Sequence, residues 1–172
     1  HKSSRGLGDV YKRQVKNIFQ ADEVSLKVFF SDKTIDFSIK SEMLNSLADS
    51  DFMRLFSPKV NFDDKKNLKI SGMSKNADFF YKSNIFVFDD TVNFEGTFDD
   101  KNFNGVIGSL ELNLSENTAK VSEELKLFYE GQIYSADSIL VDLSEKKILK
   151  STDIRFETVS YTHLRAHETT CD

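Results

Sequence analysis

Apolar and polar residues alternate with a period of two along most of this chain, the pattern that gives a strand one dry face and one wet one. Val24, Leu26, Val28 and Phe30 fall on one side, followed by Ile35, Phe37 and Ile39. Val60 and Phe62, Leu68 and Ile70, Phe86 and Phe88, and Val92 and Phe94 continue the series. It runs on through Leu110, Leu112 and Leu114, Leu125 and Leu127, and Ile139, Val141 and Leu143, then closes with Ile154 and Phe156. Between the runs lie SDKT (31–34), DDKKN (63–67), DDKN (99–102), SENT (115–118), YEGQ (129–132) and SEKK (144–147), rich in residues that favour turns. A strand about every 8 to 14 residues predicts an antiparallel all-β fold. SEMLNSLADSDFMRLF (41–56) is the one candidate helix, because Met43, Leu44, Leu47, Phe52 and Leu55 also fit a helical stripe.

The pattern repeats on a longer scale. Apolar-x-Phe or apolar-x-Leu steps close successive blocks at Val60/Phe62, Val92/Phe94, Leu125/Leu127 and Ile154/Phe156, with spacings of 32, 33 and 29 residues. Each block is roughly two strands, so the repeating unit is a hairpin, which buries its dry face only by stacking on its neighbours. A long antiparallel sheet with its apolar residues on one face, and at most one short helix to cover them, must fold over on itself. The solutions are a sandwich, a jelly roll or a V-shaped trough. A filled core and an open apolar slot for acyl chains both satisfy that pattern.

The two ends stand apart from this alternation. Legal codons for Arg5–Gln14, reverse-complemented and read two bases in, translate as VSYTHLRAH, the sequence of residues 159–167. The ends resemble a translated sequencing adapter flanking an insert, so residues 1–14 and 158–172 are set aside as adapter-derived. The insert, Val15–Glu157, is 143 residues long, enough for one domain with a core.

Setting the ends aside removes all three histidines (His1, His163, His167) and the only cysteine (Cys171). The insert therefore lacks Ser-His and Cys-His nucleophile pairs, zinc sites built on His or Cys, and disulfides. No metal and no cofactor is expected. The ends also carry five Lys or Arg against three Asp or Glu, so the net charge falls from −5 for the whole chain to −7 for the insert. An acidic domain does not attract a polyanion nonspecifically, which argues against nucleic-acid partners. No apolar run approaches the roughly 18 residues of a membrane span.

Adjacent carboxylates recur at Asp63/Asp64, Asp89/Asp90 and Asp99/Asp100. A glycosidase needs two such groups facing each other across a cleft. These sit in turn-like clusters, where Asp is at home, so a structural role is the preferred reading and no enzyme is expected. GVIG (105–108) lacks the Lys-Ser/Thr and helix of a phosphate loop and fits a bulge or bend. Pro58, the only proline, is placed to start the Val60/Phe62 strand.

SKNADFFYKSNIFVFDDTVNFEG (74–96) and YSADSILVDLSEKKILKSTDIRF (134–156) share an Ala-Asp step (Ala77-Asp78, Ala136-Asp137), a strand, a polar turn and a closing apolar-x-Phe strand. With LFSPKVNF (55–62), these segments resemble the LptC family of the OstA-like superfamily, membrane-anchored bridge components of lipopolysaccharide transport. The resemblance covers nearly all of 15–157. It implies a V-shaped antiparallel β-jellyroll whose apolar interior shields acyl chains of lipopolysaccharide, with no catalysis. On the alternation, the lipid-facing set would be Phe37, Ile39, Phe62, Ile70, Phe86, Phe88, Phe94, Leu112, Leu127 and Val141.

The resemblance also implies partners and a location. The N-terminal edge would join the inner-membrane lipopolysaccharide ABC transporter. The C-terminal edge, with Ile148, Ile154 and Phe156, would pair with a periplasmic bridge protein by edge-strand addition. The family sits at the periplasmic face of the inner membrane on a single N-terminal anchor, expected here upstream of Val15. Soluble OstA-type bridge domains share the same motifs and remain an alternative, as does a β-repeat scaffold with a filled core and no ligand.

Overall fold

The computed structural model describes residues 19–46 and 49–159. The end segments set aside above lie outside the described residues except for Thr158 and Val159, as does Leu47. The described chain is all β and forms one antiparallel sheet of 14 strands. In order these are β1 Phe19–Val28, β2 Asp36–Ser46, β3 Phe52–Phe56, β4 Lys59–Asp63, β5 Leu68–Met73, β6 Asn76–Phe80 and β7 Ile85–Phe88. They continue with β8 Val92–Phe98, β9 Lys101–Asn113, β10 Thr118–Tyr129, β11 Gln132–Ala136, β12 Ser138–Asp142, β13 Lys147–Thr152 and β14 Arg155–Thr158.

The registers reduce these strands to a simpler plan. Four of them, β1, β2, β9 and β10, run unbroken, and the others form consecutive pairs, β3–β4, β5–β6, β7–β8, β11–β12 and β13–β14, each one long strand bent at its middle. The first half of a bent strand and its second half pair with opposite halves of the next. Thus β2 holds β3 along Met43–Ser46 and β4 along Asp36–Lys40. Likewise β10 holds β12 along Thr118–Val121 and β11 along Leu125–Tyr129. The result is a meander of long strands creased along a common line, so that the sheet closes on itself as a V. One wing contains β3, β6, β7, β12 and β13, the other β4, β5, β8, β11 and β14.

Local chemistry makes the crease. Ser57 (φ 51°), Glu123 (φ 55°), Glu124 (φ 78°) and Asp153 (φ 52°) adopt left-handed backbone where their strands bend. At β10 this produces a bulge between Ser122 and Leu125. Gly108 lies opposite it, and a Cβ there would run into the Glu123 carbonyl, which accounts for the second glycine of GVIG. Ser41, buried in β2 where β3 gives way to β4, places its hydroxyl 2.7 Å from both the Met43 and the Phe56 carbonyl, donates its one proton between them, and accepts the Phe56 amide at 3.1 Å. Hydrogen bonds from Ser57 to Lys75, from Ser74 to Pro58 and from Asp137 to Thr152 stitch adjacent bends together. Pro58 is fully buried at this line and does open β4, as its position in the sequence suggested.

The candidate helix at 41–56 is replaced by strands. Residues 41–46 belong to β2 and 52–56 to β3, with Leu44 directly opposite Leu55 and Met43 opposite Phe56. Both leucines are buried, so pairing across the turn satisfies the same apolar residues that a helical stripe would have placed on one face. The expected turns fall where the polar clusters placed them. Lys65, Asp99, Asp100, Asn117, Glu130 and Lys146 take the left-handed conformation there, together with Gly131 at φ 72°.

Candidate functional site: an apolar interior with one open end

Inward-facing residues of both wings meet in a single core. It contains Phe37, Ile39 and Phe62 from one wing and Leu44, Leu55, Phe86, Phe88, Leu110 and Leu112 from the other. Of the ten residues expected to face lipid, six (Phe37, Ile39, Phe62, Phe86, Phe88 and Leu112) are at most 6% exposed. In this conformation the middle of the V is filled by its own side chains, with Phe37 edge-on to Phe62 at 6.0 Å and Phe79 stacked on Phe86 at 4.2 Å. The IFVF segment places Phe86 and Phe88 inward and leaves Ile85 and Val87 half-buried on the other face.

The other four, Ile70, Phe94, Leu127 and Val141, are half-buried. Phe94 and Phe103 cross diagonally over two glycines. Phe94 faces Gly105 and Phe103 faces Gly96 in the β8–β9 register, and a Cβ on either glycine would strike the opposing ring. These glycines are needed because the rings occupy the space a side chain would take.

Cover is lost progressively toward the C-terminal edge. Ala119 and Val121 of β10 are buried, every residue of β12 is half-buried, and every residue of β13 and β14 is exposed. On the inner face of one wing, Leu127 pairs with Tyr134 and Tyr134 with Phe156. On the other, Val141 pairs with Ile148. Phe156 stacks on Tyr134 at 6.4 Å yet is 68% exposed, and among the described residues no further strand pairs beyond β14. The inner apolar face therefore continues from a closed middle to exposed Phe156 on one wing and exposed Ile148 on the other, and Ile154, in the link between β13 and β14, is exposed as well. Tyr134 and Ile139 belong to this surface and were missing from the lipid-facing set, although Ile139 stood in the alternation. Both sit one strand short of the edge and in phase with named neighbours.

A clasp joins the wings at the mouth of the V. Asp64, in the β4–β5 turn, is 1% exposed. Its Oδ1 accepts the amides of Lys66, Asn67 and Leu68 at 2.9, 3.0 and 3.0 Å. Its Oδ2 receives Nζ of Lys146 at 2.7 Å, from the β12–β13 turn of the opposite wing. Burial by itself pushes the Asp64 carboxyl up, but the ammonium and the three amides outweigh it and hold the group well below the usual carboxylate range. Among the described residues this is the one ion pair that spans the wings. DDKKN and SEKK were each legible as turns, but nothing in the sequence joined residues 82 positions apart.

The paired carboxylates form no catalytic dyad. Asp63 accepts the Lys65 amide at 2.8 Å, Asp90 the Thr91 amide at 2.8 Å, and Asp99 the Asn67 side chain at 2.9 Å. The first two are contacts within a turn, and the third ties two neighbouring turns together. No cluster of His, Cys, Asp or Glu suited to a metal occurs among the described residues, and they contain no helix long and apolar enough to cross a membrane. The Ala-Asp steps have a structural meaning: Ala77 and Ala136 are buried in the core while Asp78 and Asp137 turn outward. Arg54 holds Asp78 at 2.8 Å and Arg155 holds Asp137 at 3.1 Å.

No protein-family model matches the chain, and no curated protein does. Among solved structures it is similar to LptH from Pseudomonas aeruginosa, described as the LptA-homologous periplasmic component of the lipopolysaccharide transport device. The identity is 8% and the TM-score 0.40, with 81% of this chain and 92% of that chain covered. At that identity and score the likeness assigns no role to any residue of this chain.

Proposed function

We propose that this chain is a noncatalytic lipopolysaccharide-binding bridge at the periplasmic face of the inner membrane, as its resemblance to the LptC family implies. It takes lipopolysaccharide from the inner-membrane ABC transporter and passes it to a periplasmic bridge protein, with the acyl chains against the inner face of the V. The observation that carries this reading is the apolar inner face that stays continuous from the core to an uncovered sheet edge. Leu127, Val141, Ile148 and Phe156 are where an acyl chain first meets it. Exposed apolar residues on an unprotected edge strand are unusual in a lone domain and suit a partner that continues the sheet. The outer edge of β13 and β14 would accept the bridge protein, and that of β1 faces the transporter. The filled middle then holds chains only after the wings part, with Phe37, Ile39, Phe62, Ile70, Phe86, Phe88, Phe94 and Leu112 as the lining.

The tight packing of those core side chains favours a second reading, a ligand-free β-repeat scaffold. A photoreactive residue at Val141 or Phe156 separates the two. Crosslinking to lipopolysaccharide there, and none from Lys120 on the outer face, is the expected result. Equal labelling at all three positions, or none, would sink the bridge reading. For the edge contact, Phe156→Lys should abolish capture of the bridge protein while leaving lipid labelling at Val141 intact.

A further inference from the structure

The outer face of the wing containing β4, β5 and β8 is hollow, with a cavity of about 990 Å³ on the opposite side of the sheet from the apolar interior. Its floor is a row of polar residues directly opposite one another, Ser38, Asn61, Ser71, Glu95 and Asn104, in which Glu95 is the one carboxylate, and Asp36 and Asp63 line the end away from Lys40 and Lys59. At one end of it Lys40 of β2 lies directly across from Lys59 of β4. Like charges opposed across a strand pair destabilise a sheet. One other like-charged pair occurs in the registers, Asp36 opposite Asp63 on the same two strands, and the chain neutralises it. Nζ of Lys65 reaches Asp36 at 2.9 Å and Asp63 at 3.6 Å. Lys40 and Lys59 have no such counterion among the described residues. Lys27 of β1, diagonal to Lys40, adds a third cation to the same rim.

An anion seated between these opposed lysines would relieve their repulsion on the concave surface. We propose that this hollow binds a sugar phosphate, either free or as the headgroup of a lipid. Lys40 and Lys59 flank the phosphate, Lys27 supports them, and Ser38, Asn61 and Asn104 meet the sugar hydroxyls. The hollow offers donors and acceptors and no exposed aromatic ring, so the sugar is held by hydrogen bonds rather than by stacking. A concave face does not lie flat on a bilayer, which favours a single headgroup over a membrane surface. The site lies behind the sheet from the acyl-binding interior, so it stands or falls separately from the bridge reading.

The test is a titration of the full chain, followed by backbone amide NMR at low salt, with glucose 1-phosphate, inorganic phosphate and phosphatidylglycerol vesicles as probes. Saturable shifts at Lys40, Lys59 and Asn61 with glucose 1-phosphate are expected. Binding should be at least about tenfold weaker in K40Q/K59Q and should weaken as salt rises. Free phosphate should bind more weakly than the sugar phosphate, and equal affinity would remove the saccharide from the proposal. Vesicle binding lost in the variant without any glucose 1-phosphate response would instead mark a membrane contact and overturn it, as would unchanged affinity in K40Q/K59Q. The variant relieves a repulsion, so its urea midpoint should equal or exceed that of the parent. A clear fall would mean that the pair is already compensated and would equally overturn the proposal.

Discussion

Lys146→Met tests whether the clasp between Asp64 and Lys146 holds the wings together. In the folded chain Asp64 is 1% exposed and has both carboxylate oxygens engaged, one by three amides and the other by the ammonium. Methionine keeps an unbranched apolar stem, one heavy atom shorter than lysine, and removes the charge together with its hydrogen bond to Asp64. Breaking a fully buried pair from one side costs about 3–5 kcal/mol. Lys146 is 31% exposed, however, so water can replace part of what it supplied. About 2 kcal/mol is therefore expected, near the penalty for one unsatisfied charged acceptor.

For a chain of this size that loss corresponds to a Tm lower by about 4–8 °C, read by circular dichroism and checked by urea unfolding at constant m. The pH dependence supplies a second readout. Because Asp64 titrates below its unfolded value, the folded state binds fewer protons in that interval. Its stabilisation is complete above the unfolded pKa of about 4 and is lost as pH falls toward the folded value. The gap between parent and variant should accordingly be full at pH 7 and narrow below about pH 4. A loss under about 0.5 kcal/mol at pH 7, with Asp64→Asn additive to it, would show that the contact does not hold the mouth.

Further outcomes follow from the packing. Gly105→Ala should destabilise by about 1–3 kcal/mol, since its methyl group would collide with the Lys126 carbonyl and the Phe94 ring; thermal unfolding measures it. Ser41→Ala removes the acceptor of the Phe56 amide and the one donor shared by two carbonyls at the crease, and should cost about 1–3 kcal/mol in urea. Ile148→Lys, on an exposed edge, should change stability by less than about 0.5 kcal/mol while reducing self-association in light scattering.

Much of the fold was legible because a strand's side-chain period is short and local. The alternation at Phe37/Ile39, Phe86/Phe88 and Leu110/Leu112 placed these residues inward without reference to any partner. Turn chemistry was equally readable, since Asp, Asn and Gly reach left-handed backbone through their own side chains or lack of one. The 41–56 segment shows the limit of such reading. Met43, Leu44 and Leu55 suit either period, and only the Leu44–Leu55 pairing across the turn decided between them.

The sequence by itself determined an all-β antiparallel chain, its strand phase, its turns and an apolar inner face. Whether that face is filled or open was a tertiary matter, because burial of Phe37 or Phe88 depends on how closely the second wing approaches. The tertiary structure also brought Asp64 to Lys146, opposed Lys40 to Lys59, and left Ile148, Ile154 and Phe156 without cover. Each depends on register and on the crease, which are set by long-range pairing, and periodicity along the chain carries no information about distance across it.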